Sequence, residues 1–145
     1  MSHKNLNVKN KIPKVLKEKL NNKKINLLYE NFQKSLNLND NFIVSISGGP
    51  DSLALAFLSK IYSIDKRLTS RFVIVDHKLR VESTIEAIKV KKLLKKFHIN
   101  AEILTWVGKK PLNNIQSIAR NNRYKLLFEK CKKDKIKNIL IGHHQ

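Results

Sequence analysis

Residues Ser47 to Ser52 read SGGPDS. They bring together two glycines, two hydroxyls and one carboxylate, the groups from which an anion cradle with a cation beside it is made. The glycines let the backbone turn tightly and bring its N–H groups close to a ligand. The run follows the apolar stretch Phe42-Ile43-Val44-Ser45-Ile46 and precedes Leu53-Ala54-Leu55-Ala56-Phe57-Leu58. A strand thus turns into a helix whose positive dipole end points at the same spot. Phosphate or pyrophosphate is the expected guest, held by Ser47, Gly48, Gly49, Pro50, Asp51 and Ser52. A Walker loop is excluded because Leu53 stands where its lysine would be. A plain alternative remains, a tight turn in which Pro50 and Asp51 only start a helix. Asp51 has two open roles, Mg²⁺ ligand (direct or through water) and helix cap.

The punctuation after residue 41 is regular. Strands are expected at Phe42–Ile46, Arg71–Val75, Ala101–Trp106 and Lys137–Ile141, with helices from Asp51 to about Ser63, Glu82 to about Phe97, and Asn113 to about Lys133. The middle helix is expected to turn Ile85, Ile88, Leu93, Leu94 and Phe97 inward and lysines outward. This alternation predicts an α/β fold, an open parallel sheet with helices on both faces. Ligands of such sheets bind at the carboxyl ends of the strands. The residues that follow each strand suit chemistry: SGGPDS, Asp76-His77, Trp106-Val107-Gly108 and Gly142-His143-His144-Gln145. Residues 1–40 read as a basic, largely helical extension. One helix is expected over Lys14–Ser35, with Val15, Leu16, Leu20, Ile25, Leu27, Leu28 and Phe32 buried and a weak point at Asn21-Asn22.

Among 145 residues, 30 are Lys or Arg and 11 are Asp or Glu, a formal net charge of +19. That favours a polyanion, nucleic acid first and an anionic membrane surface second. No apolar run approaches the roughly 20 residues of a membrane span. A composition rich in Lys, Asn and Ile also inflates the charge. Arginine occurs only at Arg67, Arg71, Arg80, Arg120 and Arg123. Arg80, Arg120 and Arg123 are candidates for bidentate phosphate or carboxylate contacts. Cys131 stands alone, which excludes an internal disulfide and suits a reducing compartment. With no secretory h-region at the start, a cytoplasmic location is expected.

SGGPDS, Val75–Ser83 (VDHKLRVES), Asn114–Tyr124 (NIQSIARNNRY) and Gly142–Gln145 (GHHQ) resemble, in this order, the N-type ATP pyrophosphatase (PP-loop) family. The likeness is to its SGGxDS loop, its VDHxLRxES segment, its AR-x-x-RY helix and the opening of its HHxDDQ motif. The resemblance implies an adenine-nucleotide alpha-hydrolase-like, Rossmann-like fold, with residues 41–145 forming the N-terminal part of the ATP-binding domain. It also implies a truncated chain, inactive by itself, because the family pattern continues with two aspartates and tRNA-gripping domains. The branch it matches ligates free L-lysine to the wobble cytidine of an isoleucine tRNA. ATP first adenylates the cytidine with release of pyrophosphate, and the lysine amine then displaces AMP. The implied cofactors are ATP and Mg²⁺, with Asp51 as the metal ligand. Asp51, Arg120 and His143 are the implied catalytic residues, and Asp76 and His77 lie near the adenosine.

Three other readings compete. A tRNA-thiolating relative typically carries paired cysteines, whereas Cys131 is single. An amide-forming synthetase leaves VDHKLRVES, ARNNRY and the charge unexplained. A non-catalytic nucleotide- or RNA-binding module would keep the loop as a relic. The sequence does not set the oligomeric state.

Overall fold

The computed structural model describes residues 12–108 and 112–142. Two short helices come first, α1 (Lys14–Leu20) and α2 (Lys23–Ser35). The remaining elements are β1 (Phe42–Ile46), α3 (Pro50–Lys66), β2 (Ser70–Asp76), α4 (Glu82–Lys95), β3 (Ala101–Thr105), α5 (Ile115–Asp134) and β4 (Asn138–Ile141). The expected single N-terminal helix is broken at the asparagine pair. Asn22 caps α2 by accepting the amides of Lys24 and Ile25 at 2.9 and 3.3 Å, which ends one helix and begins another. This break turns Leu27 and Leu28 outward, 62% and 58% exposed, while Tyr29 is buried.

The four strands are parallel and lie in the order β3-β2-β1-β4. Alternating side chains divide the core into two layers. Phe42, Val44, Ile46, Phe72 and Ile74 pack with Leu16, Tyr29, Ala56, Tyr62 and Leu94 from helices α1–α4. Ile43 and Val73 pack with Leu127 of α5 and with Ile136. Both faces of β1 are therefore covered, and all five of its residues are buried. Burying such residues stabilises by roughly 1.5–3 kcal/mol each, an upper figure because denatured chains already hide some surface. The chain advances from β1 to β3 with α3 and α4 on one face, then returns past β1 with α5 on the other. The strand order reverses at β1, which puts the crevice of a doubly wound sheet at the end of that strand.

Helix α4 is rotated from its expected setting. It buries Ala87 and Leu94, while Ile85, Ile88 and Leu93 are 54%, 42% and 40% exposed. On the opposite face, Lys130 of α5 reaches Glu102 of β3 at 2.7 Å and Asp134 at 3.1 Å. That pair fastens the helix near the far ends of the strands, away from the crevice.

Candidate functional site

The Ser47–Ser52 loop leaves β1 at the reversal point and enters α3. Gly48 has φ +92°, a conformation that costs an L side chain heavily, and a Cβ there would lie 3.0 Å from Val90 Cγ2. Gly49 is the N-cap of α3 with an ordinary φ of −74°, and Pro50 occupies the first turn. The backbone thus demands a glycine at position 48. At 49 a glycine only serves close approach. Asp51 is exposed in the first turn of α3, where a carboxylate complements the helix dipole.

The amides do not converge on open space, as a bare cradle would. Ser52 Oγ, 1% exposed, accepts the N–H of Ser47 and of Gly48, each at 3.1 Å, and donates to the Gly49 carbonyl at 3.0 Å. The Ser47 hydroxyl lies 3.1 Å from the same atom, and the Gly49 amide approaches Ser47 Oγ at 3.4 Å. The loop is folded around its own serine, a contact that sequence reasoning did not anticipate.

The end of β2 forms one wall of a cleft of about 230 Å³, bounded also by Ile46, Ser47, Arg80, Ser83, Ala87 and Val90. Asp76 is 2% exposed. Its carboxylate accepts the Lys78 amide at 3.0 Å and the Thr84 hydroxyl at 2.7 Å. It is therefore a clamp between β2 and α4, and a ligand meets the wall it holds rather than its oxygens. His77 Nδ1 is buried with no protein partner. Burial first, and the Arg123 guanidinium second, push the imidazole below its usual pKa, with Asp76 opposing. His77 is accordingly neutral at pH 7, a ring that donates one hydrogen bond and accepts another.

Beyond His77 lies a second cleft of about 610 Å³, lined by Leu79, Gln116, Ser117, Arg120 and Arg123. Arg120 is exposed in it, whereas Arg123 lines both clefts and its Nε is buried without a protein partner. Arg123, weaker than Arg120 as a sequence candidate, is the arginine that the fold brings beside His77. Arg80 is held away by an exposed ion pair with Glu86 at 2.9 Å. Thr84 carried no motif signal. His143 lies outside the described residues. Among the described residues no group of three or more His, Cys, Asp or Glu is placed to hold a metal, and no helix is long and apolar enough to cross a membrane.

A parallel sheet whose glycine loop and two polar clefts meet at the strand-order reversal defines a nucleotide-binding domain of the doubly wound α/β class. The chain belongs to the PP-loop domain family, whose model matches residues 17–145. It is 42% identical over 103 residues to a tRNA(Ile)-lysidine synthase of Bartonella quintana (strain Toulouse), covering 70% of this chain and 22% of the relative. With the enzyme of the same name from Orientia tsutsugamushi (strain Boryong) it shares 36% over 106 residues, 73% of this chain and 24% of the relative. The chain thus spans about a quarter of the length of these relatives. Among solved structures, the U34-tRNA thiolase NcsA from Methanococcus maripaludis, with its [4Fe-4S] cluster, aligns at TM-score 0.65 and 20% identity. That alignment covers 81% of this chain and 46% of that one, a likeness of fold.

Proposed function

We propose that this chain is the nucleotide-activating portion of an ATP-dependent RNA ligase that joins free L-lysine to the wobble cytidine of an isoleucine tRNA. The observation that carries the reading is the loop at the strand-order reversal, flanked by two clefts that share His77 and Arg123 as a wall. The cleft between β1, β2 and α4 has the dimensions and position for adenosine, with Ser47–Ser52 beside it for the polyphosphate. Mg²⁺ suits Asp51, since this cation takes one or two carboxylates with phosphate oxygens completing its shell. When bound, it would neutralise charge on the departing pyrophosphate. Arg123 and Arg120 face the larger cleft and supply guanidinium donors for an oxyanion of the second substrate. Neutral His77 orients groups at the junction without adding a charge of its own. His143 completes the proposed catalytic set, and the cytoplasm is the proposed location.

The identity to lysidine synthases supports this reading over thiolation, because the thiolase likeness is one of fold at 20% identity. In the full-length protein, Asp51→Ala abolishes release of pyrophosphate from ATP in the presence of isoleucine tRNA and lysine while leaving tRNA affinity within twofold. Turnover that survives the substitution removes the metal role. Mass analysis of the tRNA nucleosides decides the product. A cytidine gaining lysine supports the proposal, and one gaining sulfur replaces it.

A further inference from the structure

The loop holds two serines that the sequence cannot rank, and the structure gives them unlike surroundings. A hydroxyl has one hydrogen to donate and two lone pairs to accept with. Ser52 Oγ uses all three, giving its hydrogen to the Gly49 carbonyl and accepting the Ser47 and Gly48 amides. Nothing remains with which to donate to a phosphate oxygen. Nor can the side chain swing away easily, because the end of β4 closes that direction. A Cβ at Gly142 would lie 3.0 Å from Ser52 Cα, 3.2 Å from its N and 3.3 Å from its Cβ, two of these being backbone atoms that cannot yield. Ser47 is exposed, and its hydroxyl reaches only the already filled Ser52 Oγ. Its hydrogen is therefore the one in the loop that a phosphate can claim with least loss.

We infer that the two serines act separately: Ser52 shapes the loop without meeting the polyphosphate, Gly142 keeps Ser52 in place, and Ser47 is the hydroxyl that the polyphosphate engages. Ser52 and Gly142 are positioning residues, and the idea rests on the nucleotide reading above. The test uses full-length protein labelled with ¹⁵N-glycine, the Gly48 amide being assigned by its loss in Gly48→Ala, and magnesium-ATP as the probe. Without nucleotide, Ser52→Ala and Gly142→Ala both move the Gly48 resonance, whereas Ser47→Ala leaves it in place. On saturation with magnesium-ATP the wild-type Gly48 amide stays where it was, and Ser47→Ala weakens ATP binding about tenfold or more. A large downfield shift of Gly48 on adding ATP overturns the role of Ser52, because it would mean that this amide transfers to phosphate. An unmoved Gly48 resonance in Gly142→Ala overturns the role of the β4 end, and unchanged ATP affinity in Ser47→Ala overturns that of Ser47. If wild-type protein binds no ATP while the nucleotide-free shifts hold, the nucleotide reading fails and the loop architecture stands.

Discussion

At the scale of single residues, the glycines and the histidine give the sharpest expectations. Gly48 sits at positive φ with Val90 behind it. Gly48→Ala accordingly destabilises by about 1–2 kcal/mol from the backbone alone and weakens ATP binding as the loop distorts. Gly49→Ala, at an ordinary φ, costs only a few tenths of a kcal/mol, as glycine N-caps do. Thermal melts of the two variants check the ranking, and equal losses would refute the assignment of the turn to Gly48. His77 makes a pH prediction whose sign follows from its depressed pKa. The unfolded chain takes up the proton near the ordinary value of 6.5, before the folded one does. Its contribution is therefore complete above that pH and is lost as pH falls from there toward the lower folded value. Denaturant titrations across this window should show the wild type losing more stability than His77→Gln, and identical pH profiles would exclude a neutral buried ring. Asp51 and the glycines were legible because their chemistry is local to one motif. The acceptor role of Ser52 was not, since SGGPDS holds two serines whose difference appears only when β4 packs against the loop. Arg123 had a usable signal in its phase. It lies four residues from buried Ala119 and four from buried Leu127, on the inward side of α5, which Arg120 is not.

At the scale of elements, the strands were legible because β1 and β2 are short apolar runs ending in polar, chemistry-bearing turns. The bounds moved by a residue or two, as they do wherever helix and strand ends fray. The facing of α4 was misread for a physical reason. The helix carries two apolar stripes, Ile85 with Ile88 and Ala87 with Val90, Leu94 and Phe97. Spacing alone did not choose between them when Ala87 was counted as small rather than inward. The second stripe is the longer, and it is the one that packs against the sheet and α3, with Phe97 meeting Phe57 edge-on at 6.3 Å. The two stripes predict opposite outcomes. Leu94→Ala removes a fully packed side chain, 3% exposed, and destabilises by about 2–5 kcal/mol. Ile85→Ala, 54% exposed, stays within about 0.5 kcal/mol. Chemical denaturation of both variants settles the phase of the helix. Because α4 also supplies Thr84, Ser83 and Val90 to the cleft, the Leu94 variant should weaken ATP binding as well, whereas the Ile85 variant should not.

At the scale of the whole molecule, the charge is the dominant fact. A net +19 on 145 residues raises the local concentration of any polyanion whatever the site chemistry, and it does so through exposed lysines such as Lys89, Lys92, Lys95 and Lys96 on α4. Lysines attract phosphate diffusely, so their share of RNA binding is sequence-tolerant and dissolves in salt. The arginine-lined cleft acts by geometry and is screened less. If the α4 lysines contact the tRNA backbone, log affinity falls linearly with log salt, by about 0.9 per phosphate neutralised on duplex and about 0.7 on single strands. Changing Lys89, Lys92 and Lys96 to Gln in the full-length protein should then lower tRNA affinity at low salt and flatten that slope by about 2–3. ATP affinity should hold, because these side chains lie outside the nucleotide cleft. Filter-binding measurements at several salt concentrations separate the possibilities. An unchanged slope would mean that the lysines of α4 only keep the surface solvated, and that the tRNA is gripped by other parts of the protein.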